Sequence, residues 1–200
     1  AARMALEDGV AANMAGGTHH AFAEHGEGFC VLNDVAVAIR VLRRDGQIER
    51  ALVVDLDVHQ GNGTAAIFQS DPSIFTFSMH GERNYPFTKV DSTLDVGLPD
   101  GTGDETYLKE LCYHLPRVLS AAAPDLIFFL AGVDPVAGDR YGRLELSRQG
   151  IRAREHAVLT AGLSREVPMV LLLSGGYAES PMRTADLHAE VHREFKNMCC

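Results

Sequence analysis

The segment VVDLDVH sets Asp55, Asp57 and His59 at alternate positions behind a run of aliphatic residues. For as long as the backbone stays extended, alternate side chains leave on one face, so two carboxylates and an imidazole share a side. Carboxylates sunk into an apolar strand are costly to desolvate unless a cation or strong donors compensate them. Acids at a frayed strand end are the competing explanation, and the unbroken apolar run before them argues against it. LIFFLAGVD brings Asp134 to the end of a second such run. One histidine and two aspartates make an open metal site: a catalytic zinc typically keeps three protein ligands and a position for water, whose pKa it lowers to about 7. Zinc is the expected ion, although iron(II), cobalt or manganese suit the same nitrogen and oxygen donors.

GGTHH places His19 and His20 side by side after two glycines. Such a pair can ligate a metal or move protons; because Asp57, His59 and Asp134 already complete a catalytic set, His19 and His20 are assigned to proton transfer. SGGY sets Tyr177 on a glycine turn, where its phenol could steady a developing oxyanion or simply pack beneath the turn.

The elements that must position these residues are legible as short apolar runs. Residues 51–58, 73–80, 125–134 and 168–176 are near-continuously hydrophobic, as suits strands buried on both faces of a parallel sheet. Helical patterns lie between them: one capped by Asn33 or Asp34 and stopping at Gly46, others over 104–122, 147–165 and 180–196. The alternation predicts an α/β fold with a mostly parallel central sheet. In open α/β sheets ligands bind beyond the carboxyl ends of the strands. There the runs deliver Asp55, Asp57 and His59, then Ser78 and His80, then Asp134, then Gly175-Gly176-Tyr177. His114, His156, His188 and His192 fall in helical patterns and read as packed or solvated, His25, Glu24 and Glu27 as a rim, Cys30 as a small packer, and LHAEVHREFK as an exposed helix.

The 200 residues, 46% hydrophobic and 22% charged, suit one globular domain. A net charge of -9 without a Lys/Arg cluster argues against nucleic acid as a direct partner. No apolar run is long enough for a membrane span and no leader pattern is visible, so a cytoplasmic location is expected. Cys30, Cys112, Cys199 and Cys200 show no CxxC pair, which predicts neither a structural disulfide nor a cysteine zinc site.

GGTHHA, GFCVLND, VVDLDVHQGNGT, AGVDPVAGDR and SGGY stand in the order found in the histone deacetylase family, which also includes acetylpolyamine amidohydrolases and acetoin-utilization proteins. The chain resembles that family from about residue 13 to 190, and GDRYGRLELS, SGGY and Asn62, where class I enzymes carry Asp, look most like the class IV branch and its bacterial relatives. The resemblance implies a three-layer αβα, arginase/deacetylase-like fold and a zinc-dependent amidohydrolase that removes an acyl group from a protein or peptide lysine. Hydrolysis of acetylpolyamines or other small acyl-amines, and a non-catalytic acyl-lysine or partner-binding domain, are the alternatives. It makes Asp57, His59 and Asp134 the zinc ligands, His20 the general base and acid, His19 its electrostatic partner, and Tyr177 the group that polarises the carbonyl. Asp55 would orient His19, and Asn62 would stand behind His20. Gly28 and Phe29 would wall the substrate tunnel, with Tyr85 or Phe87 opposite. A K+ or Na+ ion would take the Asp55 carboxylate, the Ser78 hydroxyl and the carbonyls of Asp57, His59 and Met79. Family domains open with a strand and helices before the tandem histidines, so residues 1–200 are expected to be one catalytic domain lacking that segment, with oligomeric state left open.

Overall fold

The computed structural model describes residues 1–199. Its elements run in the order α1 (Ala2–Asp8), β1 (Val10–Asn13), α2 (Asp34–Arg44), β2 (Ala51–Asp55), α3 (Asn62–Phe68), β3 (Ile74–Gly81), β4 (Leu94–Leu98), α4 (Asp104–Ala122), β5 (Leu126–Leu130), α5 (Arg148–Leu163), β6 (Met169–Leu172) and α6 (Pro181–Cys199). All six strands pair in parallel in the order β1-β6-β5-β2-β3-β4. The expected parallel α/β architecture is therefore present.

Alternation along the strands builds two cores. Leu52, Val54, Phe77, Ile127 and Phe129 pack with residues of α4, α5 and α6, while Ala51, Val53, Leu126, Phe128 and Val170 pack with α1, α2 and Phe68 of α3. Three layers result, with helices on both faces of the sheet. Helix α2 starts where Asn33 Oδ1 accepts from Ala36 N at 2.9 Å, and α5 where Ser147 Oγ accepts from Gly150 N at 3.0 Å.

The sequence pattern overestimates the strands. β2 stops at Asp55, so Asp57 and His59 lie in the loop beyond it and not on a continuing extended run. β3 reaches Gly81; Ser78 and His80 are therefore inside the strand, and His80 Nδ1 lies 2.9 Å from Ser78 Oγ. β1, β4, α1 and α3 have no counterpart in the pattern. The LHAEVHREFK segment is not simply exposed: Leu187 and Val191 enter the core, and Glu190 and Glu194 are buried against Arg148 and Arg152 of α5. Cys30 and Cys112 are free, and Cys200, on which part of the no-disulfide expectation falls, lies outside the described residues. Among the described residues no helix is long and apolar enough to cross a membrane.

Candidate active site and metal centre

Where β2 and β5 end, the chain turns out of the sheet and its next residues are stitched together. Val58 N donates to Asp134 Oδ1 at 2.9 Å, and the fully buried Arg154 donates to the carbonyls of Leu56 and Gly132 at 3.1 and 2.7 Å. The loop after β6 joins them: Gly175 N and Ser174 Oγ donate to Asp57 Oδ2 at 2.6 and 2.8 Å. Asp57 Oδ2 and Asp134 Oδ1 are thus committed to the protein, and Asp57 Oδ1 also accepts from His59 N at 2.9 Å. Asp57 Oδ1 and Asp134 Oδ2 lie 3.0 and 3.1 Å from His59 Nδ1.

Asp57, His59 and Asp134 offer three ligand atoms within 4.8 Å of one another. Burial, then the neighbouring Asp57 charge, pushes Asp134 up to about 7. Burial disfavours the charged imidazole of His59, yet its hydrogen bonds with Asp134 and Asp57 push it up to about 10. Two buried carboxylates that draw a proton onto the imidazole between them are short of positive charge, which is what a divalent cation supplies. One monodentate oxygen from each aspartate and one imidazole nitrogen fit the three-ligand catalytic zinc pattern better than the crowded oxygen shell that calcium takes.

The tandem histidines are held by the GFCVLND segment. Asp34 accepts from Gly17 N and Thr18 N at 3.1 and 2.9 Å and from Thr18 Oγ1 at 2.7 Å. Asn33 Nδ2 donates to the Ala21 carbonyl at 3.1 Å. Gly63 permits α3 to lie against them, since a Cβ there would stand 2.6 Å from the His20 carbonyl carbon. The two rings, 4.1 Å apart at their centroids, face different partners. His19 Nδ1 meets Asp55 Oδ2 at 2.6 Å; burial opposes its charge, but the Asp55 and Asp57 carboxylates outweigh this and push it up to about 9. His20 Nδ1 meets Asn62 Oδ1 at 2.7 Å, and burial followed by the His19 charge pulls it down to about 3. One imidazole is thereby held charged and its neighbour neutral.

A cavity of about 440 Å3 opens over His20 and His59. Gly28, Phe29, Tyr85 and Tyr177 line it, and its exposed lining also includes Phe87, Tyr141, Arg83 and Arg143. The Tyr177 ring lies 6.4 Å from His59 and 6.2 Å from Phe29, and burial pushes its phenol up, keeping it a donor. Its turn is pinned by Asp139, which accepts from Tyr177 N at 2.6 Å. Tyr85 and Phe87 both contribute to the lining, with Tyr85 edge-on to His20 at 5.0 Å. Gly28 (φ 53) lies so close to His20 that an added Cβ would overlap the imidazole ring.

The structure therefore brings together His19, His20, Asp55, Asn62, Asp57, His59, Asp134, Gly28, Phe29 and Tyr177. Asp55 and Ser78 are register partners on β2 and β3, at the same sheet edge, and Met79 is buried beside them. Contributors that escape the sequence reading include Asp139, Tyr141, Arg83, Asn84, Arg143 and Arg154. A DR pair followed by Tyr inside AGVDPVAGDRY is the one signal that could have marked two of them. Glu27 lies on the rim as expected, its side chain 33% exposed, and accepts from Asn62 Nδ2 at 3.0 Å and from the Tyr85 hydroxyl. His188 and His192 are packed along a separate cavity of about 600 Å3 that Tyr177 also borders.

The histone deacetylase domain model matches residues 1–192. The chain is 49% identical over 197 residues to an uncharacterized protein of Picosynechococcus sp., covering 98% of this chain and 66% of that one. It is 35% identical over 188 residues to histone deacetylase 2 of Arabidopsis thaliana, covering 92% of this chain and 48% of the relative. The solved structure of the HDA15 HD domain is similar at a TM-score of 0.74 and 29% identity, over 90% of this chain and 54% of that one. The chain spans about half to two thirds of the length of these relatives. A family model that extends over nearly all of the sequence settles the affiliation: the chain belongs to the histone deacetylase family.

Proposed function

We propose that this chain carries the catalytic centre of a zinc-dependent amidohydrolase that removes an acyl group from a lysine side chain. The observation that carries this reading is the meeting, in one cavity, of a three-ligand donor set, a neutral imidazole and a protonated phenol. Zinc, when bound by Asp57, His59 and Asp134, supplies positive charge to the scissile carbonyl and to the attacking water. His20, neutral at its cavity-facing Nε2, accepts a proton from that water and returns it to the departing amine. His19, charged and anchored on Asp55, stabilises the negative charge that develops beside it. The Tyr177 hydroxyl donates to the oxygen that becomes anionic. Phe29 and Tyr85 flank the acyl-lysine stem and exclude water. A K+ or Na+ ion is proposed at Asp55 and Ser78, with the carbonyls of Asp57, His59 and Met79.

A peptide lysine is preferred over a polyamine because of the charge around the cavity. Its lining holds Arg83 and Arg143 and no Asp or Glu; the two guanidinium groups pair outside the lining with Glu82 and Asp100, at 3.8 and 3.3 Å, so a second ammonium on the substrate finds no carboxylate in the lining and meets a partly screened positive charge. Unpaired, two guanidinium groups about 8 Å from that ammonium would cost about 1 kcal/mol in water-like dielectric, and their carboxylate partners reduce the preference to at most roughly fivefold in kcat/KM. The test compares acetyl-lysine peptides with acetylspermidine on protein of measured zinc content. Turnover of acetylspermidine at the greater kcat/KM would overturn the substrate assignment, and full zinc without hydrolysis of either would overturn the reaction.

A further inference from the structure

A histidine serves as a base only through a ring nitrogen that carries no proton and faces its target. His20 Nδ1 lies 2.7 Å from Asn62 Oδ1; an Nδ1–H donor there leaves Nε2 bare toward the cavity. A carboxylate in that place would accept in either orientation. An amide would not: turned by half a rotation it presents an NH2 to His20 and selects the opposite tautomer. The ring state therefore depends on what stands at the far side of the amide.

Glu27 stands there. Its carboxylate accepts from Asn62 Nδ2 at 3.0 Å, and because a carboxylate only accepts, a turned amide would set oxygen against oxygen. The Tyr85 hydroxyl donates to the same Glu27 oxygen. The Glu27 backbone is fixed by a two-way bridge with Cys30, at 2.9 and 2.7 Å. None of these contacts involves Asp57, His59 or Asp134. We propose that Glu27 is a positioning residue: by accepting from Asn62 it sets the amide orientation and, through it, the tautomer of His20. This role rests on the reading of His20 as the base, whereas the tautomer itself is measurable without turnover.

The experiment uses the zinc-loaded chain labelled with 15N at histidine. Long-range 1H–15N correlation at about pH 8, where a free imidazole is neutral, reports which nitrogen of His20 is protonated, the ring being identified by its loss in His20→Ala. Wild type is expected to show protonated Nδ1 and bare Nε2. Glu27→Ala is expected to mix the tautomers and to lower kcat about tenfold with a smaller change in KM. Glu27→Gln, which keeps an acceptor oxygen, is expected to recover most of both. In an Asn62→Asp background the tautomer no longer needs Glu27, so adding Glu27→Ala should leave His20 unchanged. Should Glu27→Ala fold poorly, Glu27→Met removes the acceptor while keeping the side-chain length. An unaltered tautomer in the variant lacking the acceptor would overturn the role, as would a loss from Glu27→Ala that is equal with and without the Asn62→Asp substitution. A tautomer shift in protein that hydrolyses no acyl-lysine would support the positioning role and overturn the hydrolase reading instead.

Discussion

Replacing Asn62 by Asp puts a negative charge where an uncharged oxygen now lies 2.7 Å from His20 Nδ1. The charge centres would be about 4 Å apart, an attraction of about 4 kcal/mol at an effective dielectric of about 20, equivalent to about three pKa units. Desolvation of the new carboxylate and repulsion from Glu27, 3.0 Å from the present amide nitrogen, take back part of this and leave a rise of at least about one unit. His20 starts at about 3, held down first by burial and then by His19. A base is lost as pH falls through its pKa, so raising that pKa moves the acid limb of kcat/KM upward. The assay is kcat/KM on a fluorogenic acetyl-lysine peptide from about pH 3 to 9, with zinc and again with cobalt. Two metals are needed because a metal-bound water would couple its titration to that of His20; changing the metal would move the water's contribution, and the substitution the histidine's. A limb that stays in place or moves downward under both metals, in an enzyme that remains active, would refute either the placement of Asn62 behind His20 or the role of His20 as base.

Alanine at Asp57, His59 or Asp134 is expected to abolish stoichiometric zinc in metal analysis, whereas Tyr177→Phe keeps its zinc and loses roughly 10²–10³ in kcat. Gly28→Ala is expected to lower kcat more than hydroxamate affinity, because the added Cβ strikes the His20 ring while the ligand atoms stay in place; inhibition constants and kcat measured together check this. Arg83→Glu/Arg143→Glu is expected to raise kcat/KM on acetylspermidine relative to an acidic-flanked acetyl-lysine peptide, by at least roughly fivefold. Arg154→Met leaves Glu155 buried without its cation and is expected to cost about 3–5 kcal/mol in urea unfolding, much of it recovered when Glu155→Leu is added.

The apolar runs were a sound guide to the four central strands because strands buried on both faces leave no polar alternation to misread. They misled at the ends, where Leu56, Val58, Ala131 and Val133 are also buried although the backbone has already left the sheet. Hydrophobicity reports burial, and here loops are as buried as strands. β1 and β4 escaped for the opposite reason: both are edge strands, one only Val10–Asn13 and the other alternating in exposure. Helix α3 begins at Asn62 without a side-chain cap, so no start signal marks it. The candidate ligand set Asp57, His59 and Asp134 and the tandem histidines were legible because carboxylates and imidazoles beside aliphatic runs are expensive unless compensated. Glu27 was not, since an acid in a glycine-rich loop resembles any solvated one, and its partners Asn62 and Tyr85 lie 35 and 58 residues away.

His59 and Asp134 are separated by 75 positions in the chain. An ion gripped by both would close a long loop, and bringing such ends together in an unfolded chain costs about 4 kcal/mol of entropy. The folded protein has already met that cost, because the Val58–Asp134 hydrogen bond and the Arg154 guanidinium tie the two loops whether or not an ion is present. With the proposed ion bound by Asp57, His59 and Asp134, the native chain would chelate far better than the unfolded one, and conformational stability would be coupled to free-metal concentration. Above saturation of the proposed site each tenfold rise in free zinc should add about 1.4 kcal/mol to the unfolding free energy, so a metal buffer would set the melting temperature of this fold as directly as a denaturant would.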